Sequence, residues 1–538
     1  MQTVGSVLFN EIQQLLGSLM GFAHLEFGRS HMSSSETAQP DISPSKLDRS
    51  VIVTGLVIVA GLIMVVLDTT IVNVALDSLS SELDSSLSNT QWVVTGYLLA
   101  VALVIPITGW AMDRFGSKAT WITALTCFVI GSALCSFAWS IESLIVFRIL
   151  QGLGGGMLMP AGQAMIAQAA GPKRMGRAMA IIGVPMLLGP VFGPVIGGFL
   201  VEYTSWHWIF LVNVPVGIVA VALAWWKLDS GDQHDDAGRL DWLGLVLLSG
   251  GLASLLYGLS EAGSEGGFGE TSVLAWLIGG CVVLALYVWH SLVRGSDSII
   301  DVRLLTNRLF ASSSFAVFLV AIGLFGGMLL PLYYQTARGE GALTAGLLLA
   351  TQGLGAIVAM GIAGRLTDKI GAGKVVPVGV LLALIGTFPF TQIAADSSYV
   401  WLSIALFVRG IGLGSVMMPT ISSAYQDLAH DKVNRAAPTL SAIQQVGASL
   451  GSAVLVTALT QHFTGLLGDH GINAAGGTDQ LGSLPPEAMQ VAGPLLADSF
   501  GFAFWVAFGL TAIIIPALLL PRRGVDHADG QTAMTPVH

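Results

Sequence analysis

Apolar stretches of about 20 residues, separated by short polar links, recur from residue 51 almost to the end of the chain. They fall near 51–76, 92–112, 119–139, 144–168, 178–200, 207–226, 242–260, 273–293, 310–335, 343–364, 374–395, 400–424, 436–460 and 500–520. Each is long enough to cross the roughly 30 Å hydrocarbon core as a helix. The pattern predicts an all-α polytopic membrane protein of about 14 transmembrane helices. Two links are longer than the rest. The stretch 227–241 is acidic and polar, and 461–499 carries Gly, Asp and a Pro-Pro pair, which predicts an extramembrane loop. Ahead of the first span, Leu8, Ile12, Leu15, Leu16, Leu19 and Phe22 share one helical stripe and predict a short interfacial helix. No basic n-region or cleavage site marks this stretch as a signal peptide, Met32 offers a second start, and 33–50 is expected to be disordered.

Composition agrees with the pattern. Charged residues make up 10% of the chain and hydrophobic residues 53%, against about 25% charged in soluble domains. A soluble enzyme is excluded. The 66 glycines suit helices that approach closely in lipid. The three cysteines, Cys127, Cys135 and Cys281, sit in apolar runs and read as reduced, buried small hydrophobes. There is no GxxxxGK[ST] phosphate loop, no metal-ligand cluster and no nucleophile–base set. No cofactor, metal or nucleic-acid partner is therefore expected, and any work must draw on an ion gradient or on the substrate.

Charge placement adds sidedness. Threading the spans puts all but three of the 23 Lys and Arg on the side that holds both termini. The exceptions are Arg338, on the opposite side, and Arg148 and Arg409, inside spans. Positive residues favour the cytoplasm, so both termini are expected there, in a multi-pass protein of the inner (cytoplasmic) membrane.

The chain also repeats itself. After the second span it reads Gly109-Trp-Ala-Met-Asp113-Arg114-Phe-Gly116-Ser-Lys118, and after the tenth Gly364-Arg-Leu-Thr-Asp368-Lys369-Ile-Gly371-Ala-Gly-Lys374. Arg148 then precedes Gly152, Gly154, Gly155, Gly156 and Pro160, as Arg409 precedes Gly410, Gly412, Gly414 and Pro419. Repeats flanking a central site are a common plan of secondary transporters. They divide the chain into a segment 1–50, a six-helix lobe 51–226, a linker with two added central helices 227–309, a second six-helix lobe 310–521 containing the loop 461–499, and a tail 522–538.

One acid stands out. Asp68 lies well inside the apolar run 61–76 with no basic neighbour in sequence. A carboxylate there costs on the order of 3 kcal/mol on insertion scales, so a chain that keeps it is expected to use it, for a proton or a cation. Arg148 is the obvious partner, since an intramembrane Arg also needs a counter-charge, and Gln151 shares its face at i+3. Burial favours the neutral acid and a nearby cation the carboxylate, so the pair can respond to which side the cavity faces.

Five segments in register resemble one family. Leu67-Asp-Thr-Thr-Ile-Val-Asn-Val-Ala-Leu76 resembles the first-span signature of the fourteen-span drug:proton antiporters of the major facilitator superfamily, the multidrug-resistance exporters. Gly109 to Lys118 resembles the superfamily's loop motif, and 144–156 its fourth-span Arg motif, RxxQG. Gly189-Pro190-Val-Phe-Gly193-Pro194-Val-Ile-Gly197-Gly198 resembles the fifth-span antiporter motif. Trp206-His-Trp-Ile-Phe-Leu-Val-Asn-Val-Pro215-Val-Gly217 resembles the start of the sixth span. Asp77, His207 and Ser117 depart from the usual Pro, Arg and basic residue. The last departure weakens the loop's electrostatic latch.

The resemblance implies the major facilitator fold and a proton-driven exporter in which Asp68 and Arg148 couple proton entry to export. Gly109, Asp113, Arg114, Gly116 and Lys118, with Asp368 and Lys369, are the expected inner gate. Gly189, Gly193 and Gly197 form a GxxxGxxxG face, and with Pro190 and Pro194 they are expected at a tight, kinked hinge between the lobes. Asn73, Thr95, Tyr97, Gln151, Tyr334, Gln335 and Gln352 are candidates to line a substrate cavity. The cargo is then a lipophilic small molecule, exchanged for protons across lipid by a monomer, with room for a periplasmic adaptor. The alternative is a proton symporter or uniporter that imports a small metabolite, because direction is not written in a fold.

Overall fold

The computed structural model describes residues 48–229, 238–264, 267–324, 329–393, 397–429, 432–470 and 486–515. The expected interfacial helix, the part of the expected disordered stretch 33–50 up to residue 47, both termini and the tail 522–538 lie outside the described residues, while Arg49 and Ser50 are already helical. Every regular element within them is helical.

The first span is α1 (Arg49–Glu82). Next, α2 (Leu87–Val104) starts on Ser86, whose Oγ accepts from the Asn89 amide at 3.3 Å. Pro106, which has no amide to donate and crowds the preceding turn, then follows, and α2 meets α3 (Ile107–Phe115) at 54°. At Gly116 the backbone takes φ 83° and turns into α4 (Ser117–Ser136), a conformation that glycine adopts without steric penalty. A capping box between Ser140 and Ser143 starts α5 (Ile141–Ala170). Next come α6 (Met175–Tyr203), α7 (His207–Leu211) and α8 (Asn213–Lys227), then the added pair α9 (Trp242–Ser264) and α10 (Thr271–Arg294).

The second half begins with α11 (Arg308–Leu324). It continues through α12 (Ala342–Ile370), α13 (Ala372–Thr387), α14 (Tyr399–Tyr425), α15 (Val433–Asp469) and α16 (Pro486–Ala512). Gly371, at φ 84°, joins α12 to α13 as Gly116 joins α3 to α4. Among the described residues 11 helical stretches are long and apolar enough to cross a membrane, or 12 if the bent pair counts as one. The other two spans read from sequence fall on α6 and on the shorter α11.

Of the span expected at 310–335, the described residues form α11 up to Leu324 and a short helix Leu329–Leu332 that leads into a π-helical turn Tyr333–Ala337. The structure differs from the sequence reading in two places. The loop expected at 461–499 is helical at both ends, to Asp469 and again from Pro486. Phe463 and Leu467, four residues apart on one face and fully buried, extend α15 by packing with Leu455 and Leu459. Of the cysteines only Cys135 is buried, while Cys127 and Cys281 lie exposed on outer helix faces.

Packing follows the repeat. In the first half α5 packs on α2 and α4, and α1 on α6 and α8; in the second, α14 packs on α12 and α13, and α11 on α15. The halves meet where α6 lies on α12, and where α3 and α5 touch α15. The added pair sits beside this seam. Ser249 of α9 donates to the Leu103 carbonyl at 2.7 Å, and Thr457 of α15 donates to the Ala262 carbonyl at 2.9 Å, so α9 is bonded to both halves. Outermost is α10, with Ile278, Val282, Leu286 and Trp289 exposed. Such an apolar outer face belongs in lipid.

Candidate functional site

Asp68 is fully buried on α1 and takes three side-chain donors. Arg148 Nη1 donates to its Oδ2 at 2.5 Å. Gln151 Nε2 donates to Oδ1 at 2.8 Å, and Asn213 Nδ2 to the same oxygen at 2.9 Å. Arg148, 1% exposed, also donates through Nη1 to Gln151 Oε1 at 2.8 Å and through Nε to the Val93 carbonyl at 3.2 Å. Its guanidinium lies 4.1 Å from the Tyr97 ring centroid and 5.6 Å from that of Phe210. The charge pair is thus neutralised, hydrogen-bonded and enclosed by aromatics, the conditions under which a buried pair persists.

The local sequence explains how Arg148 reaches Asp68. A Cβ on Gly152 would stand 2.7 Å from the Tyr97 carbonyl, one on Gly154 2.5 Å from the Phe128 amide, and one on Gly156 2.7 Å from the Val101 carbonyl. Only bare backbone lets α5 approach α2 and α4 this closely. In this span the glycines are packing residues.

Further polar groups join the cluster that sequence reasoning did not single out. Asn213 also donates to Ser132 Oγ at 3.1 Å, and Ser132 donates to the Phe210 carbonyl at 2.9 Å. The Cys135 thiol lies 3.6 Å from Gln151 Oε1. Side chains or carbonyls of α2, α4, α5, α7 and α8 therefore join one polar cluster around the carboxylate on α1. Asn213 had a signal, since it stands in the quoted segment from Trp206 to Gly217. Ser132 had none, being a neutral residue in an apolar run.

The residues proposed to line a cavity are dispersed. Gln151 and Tyr97 belong to the Asp68 cluster and are buried. Asn73 is exposed and donates to the Thr69 carbonyl one turn back. Thr95 is half-buried on α2. Tyr334 is buried in the π-helical turn with its ring 5.3 Å from that of Tyr333, and Gln335 beside it is half-buried. Gln352 accepts from Arg409 at 2.7 Å.

On the side rich in Lys and Arg, the repeated loops interlock. Asp113 accepts from Asn434 Nδ2 at 2.8 Å and from Arg435 Nε at 3.3 Å, both at the start of α15. Asp368 accepts from the Gly176 amide at 2.9 Å and from Arg177 Nε at 2.8 Å, both at the start of α6. Each half thus supplies the loop acid and the other half the helix start. The glycines sit in the same joints: a Cβ on Gly109 would meet the Asn434 carbonyl at 2.7 Å, and one on Gly364 the Gly176 carbonyl at 2.8 Å. Gly116 supplies the turn already described. Arg114 and Lys369 are exposed and Lys118 is half-buried, and none forms an ion pair among the described residues. The cations that pair are Arg177 and Arg435, which the sequence offered only as topogenic charge.

Gly189, Gly193 and Gly197 occupy a different place from the one expected. All three are buried, but they face α1 in their own half, against Val66, Thr70 and Ile71. Thr70 donates to the Gly189 carbonyl at 3.2 Å. Their four-residue spacing makes one stripe, and α1 fills it on either side of Asp68. The seam with the other half falls earlier on α6, where Gly176 approaches Gly364 and Gly183 lies against Met360 and Met418. The helix itself is continuous through Pro190 and Pro194.

Residues 58–455 match the model of the Major Facilitator Superfamily. A "Multidrug resistance protein B homolog" of Mycobacterium tuberculosis (strain ATCC 25618 / H37Rv) is 38% identical over 503 residues, 90% of this chain and 92% of that protein. A "Putative multidrug resistance protein MdtD" of Cronobacter sakazakii is 30% identical over 472 residues, 87% of this chain and 93% of its own length. Among solved structures, that of the proton:xylose symporter XylE superposes with a TM-score of 0.58 at 14% identity, covering 88% of this chain and 95% of that one. That likeness concerns the fold alone. With its helical halves, interlocked loops and buried Asp68–Arg148 pair, this chain belongs to the Major Facilitator Superfamily of membrane transporters, among relatives named for multidrug resistance.

Proposed function

We propose that the protein exports amphipathic organic compounds in exchange for protons, by alternating access, in the cytoplasmic membrane with its Lys- and Arg-rich side inward. The observation that carries this reading is the convergence of Arg148, Gln151 and Asn213 on the buried carboxylate of Asp68. A proton on Asp68 would remove the charge that Arg148 neutralises and turn one acceptor oxygen into a donor. α5 and α8 are held to α1 through that carboxylate, so its protonation changes what holds them together. In this reading the loops around Asp113 and Asp368, which bond to the opposite halves, form the gate on the basic side. Opening them exposes a path from the cytoplasm, and protonation of Asp68 from the outer side would favour release of cargo there. Moving one charge across the membrane supplies about 2.3 kcal/mol per 100 mV. The multidrug-resistance names of the relatives support organic cargo. The transporter works as a monomer among lipids, with room for a periplasmic adaptor.

The test is proton release from inverted membrane vesicles on adding a panel of lipophilic drugs. Wild-type protein should give drug-dependent release, and Asp68→Asn should give none. Coupled release that survives Asp68→Asn would sink the mechanism.

A further inference from the structure

The repeat places a second buried arginine in the other half, and there no acid among the described residues pairs with it. Arg409, 3% exposed on α14, is the counterpart of Arg148. Its Nε donates to Thr387 Oγ1 at 3.2 Å and its Nη1 to Gln352 Oε1 at 2.7 Å. Both acceptors are neutral. Among the described residues no carboxylate pairs with Arg409. Residues 310–337, which span the place that α1 takes in the first half, contain no Asp or Glu. The nearest acids along α12 are no help. Asp368 lies about 24 Å beyond Gln352 by helical rise and is held by Arg177. Glu340, ahead of α12, accepts from Tyr399.

The donor types, however, match those of the first half, with Gln352 reaching Arg409 from α12 where Gln151 shares the helix of Arg148. There, Arg148 and Gln151 share Asp68: the guanidinium takes one oxygen, the Gln amide takes the other, and the Gln carbonyl accepts back from the guanidinium. In the second half Gln352 likewise accepts from Arg409, and Arg409 Nη2 and Gln352 Nε2 carry no hydrogen bond among the described residues. A buried guanidinium with neutral partners and spare donors is an anion site by its chemistry.

We propose that Arg409 and Gln352 bind a carboxylate, or an equivalent monoanionic group, carried by the exported molecule. Arg409 Nη2 donates to one oxygen and Gln352 Nε2 to the other, and Thr387 holds the guanidinium in place through Nε. The cargo is then an amphipathic organic acid whose apolar body lies in the membrane domain. This deepens the export reading by naming a substrate class, but it concerns binding and is tested without transport.

The experiment is calorimetric titration of the purified full-length protein with 1-naphthoate, with its methyl ester and with formate. Naphthoate should bind at least tenfold more tightly than the ester. Arg409→Gln should bring the two together, Arg409→Lys should keep part of the preference, and Gly361→Ala, with open space around the new Cβ, should keep all of it. If Arg409→Gln does not fold, Gln352→Ala, at a half-buried position, should still reduce naphthoate affinity several-fold and leave the ester unchanged. Equal affinity for acid and ester, or no binding of either, overturns the proposal. So does a preference that survives both Arg409→Gln and Gln352→Ala. Formate binding as tightly as naphthoate would make this a small-anion site and overturn it too. Loss of drug-dependent proton release with the naphthoate preference intact would count against the export reading alone.

Discussion

Asp68 Oδ2 takes a guanidinium and Oδ1 takes two amide donors, so no polar contact of that carboxylate is incidental. Asp68→Asn preserves size but strands Arg148 as a buried cation. Breaking such a pair from one side costs about 3–5 kcal/mol, so this variant should melt at a lower temperature besides losing proton coupling. A scan of the purified protein that shows no shift would mean the cluster is open to water. Asn213→Leu is milder. It removes one donor from Asp68 and one from Ser132, a loss of about 1–3 kcal/mol, and export should slow several-fold in vesicles while Asp68→Asn abolishes it. Asp68, Arg148 and Gln151 were legible in the sequence because charge inside an apolar run is costly wherever it occurs. Asn213 and Ser132 were not, because a neutral polar residue in a span has many cheap ways to be satisfied.

Helix α6 depends on bare backbone where it meets α1. A side chain at Gly193 would overlap Thr70 Oγ1, and one at Gly189 would overlap Val66 Cγ1. Gly193→Val should therefore push α1, and Asp68 with it, away from α6. Overpacking of this kind costs about 1–3 kcal/mol. The expected result is a lower melting temperature and loss of export together, whereas Gly361→Ala on α12, with open space around the new Cβ, should do neither. Equal behaviour of the two variants would show that the α1–α6 contact yields freely. The glycine stripe was visible in the sequence, but the helix it faces was not. Spacing fixes which residues share a face, and only packing decides what that face meets.

The interlocked loops belong to the whole molecule, since each joint is made from both halves. A hydrogen bond to a charged group contributes about 1.5–3 kcal/mol, and about 1.4 kcal/mol is a tenfold shift of population. Neutralising both acids, as Asp113→Asn with Asp368→Asn, should move at least a tenfold share of molecules to the form open on the basic side. Spin labels on cysteines placed at Ala119 and Lys374, exposed positions in opposite halves, should then report a longer distance. An unchanged distribution would show that closure rests on the apolar seam of α6 and α12. Either single change should give a smaller effect, as each half keeps one joint.

From its sequence alone this chain is an all-helical membrane protein with one strongly basic side, two related halves and an acid buried in its first span. Those properties are local or additive: hydropathy is summed over a window, charge is counted along links, and a repeat is read by alignment to itself. Tertiary structure decided the partners. It brought Asn213 to Asp68, gave Asp113 and Asp368 the cations of the opposite halves, turned the span-five glycines toward α1, and left Arg409 beside neutral neighbours. Each choice depends on how far a helix is rotated and how closely its neighbour approaches. Both are set by contacts between residues far apart in the chain, and no window along the sequence contains them.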